Sequence, residues 1–411
     1  MLFQIKSISL APAGSRLIDW AWQRMPVLRF LEKDFLKRKP LKNYKIGACL
    51  HVTSETANLT RVLKAAGAQI FLCASNPLST KNEIAAALVK YFKIPVFAFF
   101  NEDKKNYFNF IHQVLSFQPN LLIDDGGDLI ISAIKKKMKN ILAASEETTT
   151  GVTRIKNLEK EKKLIFPVIA VNEAKTKYLF DNRYGTGQST VDGLLRATNI
   201  LLAGKRITIC GYGMCGKGLA QRFKGMGAEV IISEVNPIKA LEAKMDGFEV
   251  LNLNQAAKIS DIFLTVTGNI SVIRKEHFLK MKDGVILANA GHFNVEIDLD
   301  NLERISKIKR KIRDFVEEYT LRNNKKIYLL AEGRLLNLVA AEGHPAEVMD
   351  MSFTGQALAQ EYLVKNYKNL EKKVYHLPEE LDNRIAEMKL KSLGIKIDRL
   401  TKKQKEYLLS Y

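Results

Sequence analysis

The chain has 411 residues, with 64 lysines and arginines against 44 acids and a formal charge of +20. Single cores stop growing at roughly 250–300 residues, so this length predicts two or three domains. An apolar content of 46% beside 26% charged residues excludes a disordered chain, and no apolar run approaches the ~20 residues of a membrane span.

Residues 1–16 lack the apolar block of a signal peptide, so a cytoplasmic protein is expected. From 44 to 171, apolar runs at 46–50, 68–73, 94–100, 120–125, 141–144 and 166–171 alternate with helix-like stretches. Apolar strands separated by helices predict a parallel sheet covered on both faces. Ligands bind such sheets at the carboxyl ends of the strands. Polar motifs stand there: HVTSET after the first run, DDGGD at the fourth and EETTTG after the fifth. In the next stretch Lys177 and Asp181 are i, i+4 and share a face of any helix. That spacing suits a surface ion pair as well as an acid/base group.

A strand then runs into Gly211-Tyr212-Gly213-Met214-Cys215-Gly216, a G-x-G-x-x-G loop followed by a helix and a second strand. Gly211 permits the tight turn, Gly213 lets the backbone approach a pyrophosphate, and Gly216 lets helix and strand pack. Glu234 ends the second strand, where an acid bonds the ribose hydroxyls and favours NAD over NADP. Lys239 softens that exclusion. In 304–314 the isoleucines at 305, 308 and 312 recur at helical spacing and predict an amphipathic helix with its cations outward. The basic stretches are separate and carry no nucleic-acid motif, so no nucleic-acid partner is expected. His292 and His344 stand in glycine-flanked loops and are site candidates. The segment 380–411 is charged, helical and expected to pack on a neighbour. The four cysteines, Cys49, Cys73, Cys210 and Cys215, make neither a disulfide framework nor a zinc spacing, and no metal is expected.

Taken together, HVTSETA (51–57), DDGGDL (124–129), EETTTGV (146–152), KTKYLFDNRYG (175–185), GYGMCGKG (211–218), AGHFNVEID (290–298), LLAEGRLLNL (329–338), GHP (343–345) and LTKKQKEYL (400–408) resemble one family. It is the S-adenosylhomocysteine hydrolase (adenosylhomocysteinase) family, and the match runs from about 45 to 407. The short tail and Thr186-Gly-Gln-Ser are similar to its archaeal and thermophilic-bacterial branch. The resemblance implies an α/β fold with two doubly wound Rossmann-like domains. Residues 1–181 and 346–378 would form a discontinuous substrate-binding domain, 182–345 the NAD-binding domain, and 379–411 a short helical dimerisation arm. It also implies a homotetramer, with no membrane partner.

The implied reaction is reversible hydrolysis of S-adenosyl-L-homocysteine to adenosine and L-homocysteine. It would proceed by oxidation of the ribose 3′-hydroxyl, loss of the 4′ proton, departure of homocysteine, addition of water and re-reduction, with tightly bound NAD recycled in each turnover. By resemblance, Glu147, Lys177 and Asp181 hold and deprotonate the ribose hydroxyls, helped by Thr148. His51, Asp125 and His292 surround the 5′ leaving group and the 4′ proton, without a choice among them. Thr53, Glu55, Thr56 and His344 line the purine side, and Met349 and Phe353 close the pocket. NAD contacts fall on Thr148, Thr149, Thr150, Asn182, Gly211, Gly213, Met214, Cys215, Gly216, Glu234, Lys239, Thr267, Gly268, Ala290 and Asn337. Hinges are expected near 182–185 and 344–345.

Departures from the family pattern are Thr186 where many members have cysteine, Met214 and Cys215 inside the glycine loop, Lys239, and Glu342 at the purine end. The tail that reaches a neighbour's NAD in many members is not expected past Tyr411. Two alternatives stay open: the same chemistry on S-inosyl-L-homocysteine, and a non-catalytic NAD- or nucleoside-binding homologue. An ordinary 2-hydroxyacid dehydrogenase would not need the motifs of 46–171.

Overall fold

The computed structural model describes residues 2–410. The apolar runs of the first half become β1 (Lys45–Leu50), β2 (Gln69–Ala74), β3 (Val96–Phe97), β4 (Leu121–Asp124), β5 (Ala143–Glu146) and β6 (Val168–Ala170). All pair in parallel in the order β6-β5-β4-β1-β2-β3, and a late strand, Val374–His376, adds beside β6. Burial on both faces explains why the runs are continuous rather than alternating.

The second sheet holds β7 (Arg206–Cys210), β8 (Glu229–Ser233), β9 (Glu249–Val250), β10 (Ile262–Thr265), β11 (Val285–Asn289), β12 (Ser306–Arg313), β13 (Val316–Leu321) and β14 (Lys326–Leu330). Its order is β12-β13-β14-β11-β10-β7-β8-β9, with parallel pairings except β12-β13 and β13-β14, because β13 alone runs against the others. Strand order reverses between β1 and β4 in one sheet and between β7 and β10 in the other. Each reversal opens a crevice at the carboxyl ends. The fold is therefore α/β with two Rossmann-like sheets, as the sequence predicts.

The helix expected over 304–314 is a correction. Residues 306–313 form the edge strand β12, antiparallel to β13. Ile308 and Ile312 are four apart, a spacing that fits period 2 as well as period 3.6. The partner strand decides, because Arg310 pairs with Glu318 at 2.8 Å and Lys309 with Glu317 at 3.7 Å across it. A lysine-rich edge also deters pairing with further strands.

Residues 175–198 form one continuous helix that links the two sheets, and its middle, Tyr178–Gly185, is π-wound. The long helix Ala346–Asn366 returns to the first sheet. On it, buried Asp350 accepts from the backbone N–H of Val27 and Leu28 at 3.2 and 2.9 Å, capping the helix Pro26–Arg38 from a distance. Lys389 on the helix Glu379–Ser392 donates to the same carboxylate at 2.9 Å. One side chain thus ties three helices. Asp350→Ala is expected to cost about 3–5 kcal/mol, since it strands a half-buried ammonium and two backbone donors. A urea titration with an unmoved midpoint would refute that.

Residues 393–410 are exposed at every position, including Ile397, Leu400, Tyr407 and Leu409. Among the described residues no helix is long and apolar enough to cross a membrane.

Candidate active site

The carboxyl ends of the two sheets face one cavity of about 990 Å³. It is lined by every residue singled out above for the site except Gly216 and Glu342. Gly216 has the packing role its motif predicts: a Cβ there would stand 2.1 Å from the Gly211 carbonyl oxygen. Glu342, expected at the purine end, does not line the cavity, but its charge still reaches that end and adds to the burial that pushes the Glu55 carboxyl up. It turns outward to Arg196 at 3.3 Å and Lys81 at 3.5 Å.

Lys177 is buried at the centre of the first group. Its Nζ lies 2.6 Å from Asp181 and 3.6 Å from Glu147, and donates to Asn182 at 2.8 Å and Asn172 at 3.2 Å. The surface ion pair is thereby excluded. The π-winding explains how the lysine reaches both neighbours. In an α-helix, residue i+5 sits about 140° round from residue i. Winding with i to i+5 bonds brings i+4 and i+5 to either side of the same line, so Asp181 and Asn182 flank one ammonium.

Burial alone would neutralise Lys177, but Asp181 and Glu147 outweigh it and raise its pKa above the ordinary lysine value. Burial also pushes the Asp181 carboxyl up, while Lys177 and His344 pull it below the usual carboxylate range. Burial raises Glu147 to about 7, against the pull of Lys177. Ser352 Oγ and Gln356 Nε2 donate to its two oxygens. His344 bonds Asp181 through Nδ1 and meets Thr186 Oγ1 at 3.3 Å through Nε2.

The second group follows the crevice between β1 and β4. His51 comes directly after β1 and Asp125 after β4, with 3.4 Å between Nε2 and Oδ2. His292 comes across from the end of β11, its Nδ1 3.8 Å from Asp125 Oδ1. Burial lowers His51 to about 3 and His292 to about 4, so both rings are neutral at pH 7 and the contacts are not ion pairs.

The glycine loop follows β7 at the other crevice. Gly211 has φ +108°, a conformation that favours glycine. Gly213 precedes the helix Met214–Gly225, and the space where its Cβ would stand is open. A helix N-terminus facing open space suits a pyrophosphate. Glu234 closes β8 and accepts from the backbone N–H of Tyr212, Val235 and Asn236 at 2.7–2.9 Å. These residues fit a dinucleotide.

Two family models match the chain. One, described as the S-adenosyl-L-homocysteine hydrolase NAD binding domain, covers residues 182–343, and the other, S-adenosyl-L-homocysteine hydrolase, covers 2–139. The chain is 59% identical to the adenosylhomocysteinase of Aquifex aeolicus, covering 100% of this chain and 99% of the relative. It is 55% identical to that of Sulfolobus acidocaldarius, covering 99% and 98%. The chain belongs to the S-adenosyl-L-homocysteine hydrolase family. Its cofactor is NAD.

Five polar residues of this hydrolase-family site escape sequence reasoning. Asn172 bonds both Lys177 and Asn182. Ser352 and Gln356 hold Glu147. Glu296 accepts from the N–H of Thr267 and Gly268 and fixes the loop after β10. Glu146 accepts from Gly126 and Thr148 and orders the loops beside Asp125. A signal existed for one pair: Ser352 and Gln356 are polar residues at i, i+4 on a buried helix.

Proposed function

We propose that the chain cleaves S-adenosyl-L-homocysteine reversibly to adenosine and L-homocysteine. The observation that carries this reading is one cavity holding a lysine–carboxylate group, a two-histidine aspartate group and a dinucleotide loop. Bound NAD supplies reversible hydride transfer at the ribose 3′ carbon, and the ketone formed there makes the 4′ hydrogen acidic.

The protein's own groups divide the remaining work. Glu147, titrating near neutrality, takes the 3′-hydroxyl proton, while the Lys177 ammonium faces the oxygen as it gains charge. Asp181, Asn172 and Asn182 hold the ammonium in place. His51 and His292, both neutral, accept the 4′ proton and return one to the departing sulfur, and Asp125 orients them. Thr53, Glu55, Thr56, Met349 and Phe353 enclose the purine, with Glu55 accepting from the exocyclic amine. Burial and, less strongly, the Glu342 charge push the Glu55 carboxyl up. A protonated Glu55 can donate to a hypoxanthine oxygen just as the carboxylate accepts from an adenine amine, so both purines enter the test. Thr148, Thr149, Thr150, Thr267, Gly268, Ala290 and Asn337 line the dinucleotide side.

The same reading assigns 1–181 with 346–378 to substrate, 182–345 to NAD and 379–411 to an arm. Support comes from the two separate sheets and from the return of the helix Ala346–Asn366 to the first. The working form is a homotetramer in the cytoplasm. The exposed apolar side chains of 393–410 support an arm that needs a neighbour.

The test is incubation with S-adenosyl- and S-inosyl-L-homocysteine, with free thiol and nucleoside both measured. Thiol from neither would overturn the hydrolase reading, and free NADH in solution would point to a plain dehydrogenase.

A pH effect follows from Ser352. Its hydroxyl donates to Glu147 and so favours the carboxylate. Without that donor the anion is less stable, the pKa rises, and the base appears at higher pH. Ser352→Ala is therefore expected to move the acid limb of the kcat profile upward by about one unit. A limb that stays or moves down contradicts the assignment of Glu147.

A further inference from the structure

The loop 75–81, between β2 and the helix Asn82–Lys90, lines no part of the cavity, yet it meets both His51 and the half of the molecule built on the second sheet. Its ends bracket His51 on the main chain. Ser75 N–H donates to the Leu50 carbonyl at 3.2 Å, and Lys81 N–H to that of Val52 at 3.0 Å. The ring is held as well: His51 Nδ1 lies 2.7 Å from Ser79 Oγ and 3.2 Å from Ser75 Oγ. Ser79 Oγ also bonds the Asn76 carbonyl at 2.9 Å. A carbonyl only accepts, so the Ser79 hydroxyl proton goes to Asn76, and Ser79 Oγ accepts from His51. The His51 proton therefore sits on Nδ1, and Nε2 faces Asp125 with a bare lone pair. A base needs that tautomer.

The next side chain belongs to the other half. Leu78 is only 6% exposed and packs into the apolar cluster of the second sheet, whose members include Leu336, Val339 and Ala340. Leu78 N–H donates to Asn76 Oδ1 at 2.9 Å and Ser79 N–H to the Asn76 carbonyl at 3.1 Å, so Leu78 and Ser79 share one turn. At the end of the loop, Lys81 Nζ donates to the Ala341 carbonyl at 3.3 Å and lies 3.5 Å from Glu342. An exposed pair of that kind is weak, so the buried leucine supplies most of the hold.

We propose that the loop 75–81 is a clasp between the two halves, and that Ser79 is a positioning residue that sets His51 for proton transfer only while Leu78 is seated. When the halves part, Leu78 loses its seat, the turn at Asn76 loosens and His51 Nδ1 is no longer held. Lys177 and Glu147 stand outside this linkage, so oxidation at the 3′ carbon continues. Loss of the 4′ proton, and with it thiol release, waits for the clasp. Elimination is thereby tied to the closed cavity, where the ketone is shielded from water. The coupling, unlike the clasp, rests on the hydrolase reading.

The NAD-loaded protein is mixed with S-adenosyl- or S-inosyl-L-homocysteine, and bound NADH and free thiol are followed together. In Leu78→Ala and in Ser79→Ala, thiol release should fall at least about tenfold while NADH still forms, so NADH builds up on the protein. The double variant should lose little more than the worse single, because one residue acts through the other. Leu78→Met keeps an apolar side chain of similar volume and should restore thiol release to within about threefold of the parent. Thr80→Val is the control inside the loop, since among the described residues its hydroxyl has no hydrogen-bond partner. Amide exchange gives a readout free of turnover: 75–81 and 338–342 should both exchange faster in Leu78→Ala, and 338–342 should not in Ser79→Ala. Parental thiol release in Leu78→Ala, equal loss of NADH formation and thiol release in either variant, additive losses, or unchanged exchange overturns the proposal. A parent that releases thiol from neither thioether, with faster exchange at both segments in Leu78→Ala, keeps the clasp and overturns the hydrolase reading instead.

Discussion

Lys177→Ala is expected to lower kcat at least about a thousandfold while the protein still carries NAD. Two losses act together. The cation beside the 3′ oxygen goes. Glu147 also loses the charge that restrains its pKa, already about 7, so its carboxyl is protonated at neutral pH and cannot act as base. The change also removes one partner of a buried pair, worth about 3–5 kcal/mol of stability. Lys177→Met keeps most of the volume and should be equally inactive but better folded. Thiol release and extracted NAD are the two measurements. Turnover within tenfold of the parent would remove Lys177 from the reaction, and lost NAD would make it a cofactor residue.

Gly218→Ala should be nearly as damaging, from outside the cavity. A Cβ at 218 would stand 1.8 Å from the carbonyl oxygen of Arg183, in the π-wound segment that carries Asp181 and Asn182. A Cβ at Gly187 would in turn stand 2.7 Å from the Gly218 carbonyl. The helix behind the glycine loop and the helix behind Lys177 thus meet backbone to backbone. Overpacking there costs about 1–3 kcal/mol and forces the two helices apart. We expect NAD affinity and kcat each to fall at least about tenfold, since ~1.4 kcal/mol is a factor of ten. Gly225→Ala, on the same helix with nothing within 4 Å, is the control and should be neutral or slightly stabilising. Retained NAD and full turnover in Gly218→Ala would mean that the contact yields without consequence.

The strand runs and the glycine loop were legible in the sequence because each is set by local rules. A doubly covered strand must be apolar throughout, and a phosphate turn must have glycine. His51 and Asp125 followed, since they stand where strands end. What lay beyond reach depends on partners distant in the chain. Ile308 and Ile312 fit either period until Glu317 and Glu318 arrive across the sheet. Glu342 looked inward by position, but Arg196 and Lys81 draw it out. The burial of Lys177 needed Glu147, thirty residues earlier, and the supports of Glu147 lie on a helix some two hundred residues later.

The π-wound stretch has a consequence for how this chain can change over time. It holds one residue more per turn than an α-helix would. Deleting any single residue between Tyr178 and Gly185 would let the helix settle into ordinary winding. A deletion beyond Asn182 would leave that residue at i+5 in ordinary winding, about 140° round from Lys177, and one before Asp181 would move the pair to i+3 and i+4. Either way Asp181 and Asn182 would no longer flank the ammonium as they do now, even if no amino acid at the site had been exchanged. In this segment, spacing is under a stricter constraint than residue identity, and a deletion scan should find it less forgiving than a substitution scan.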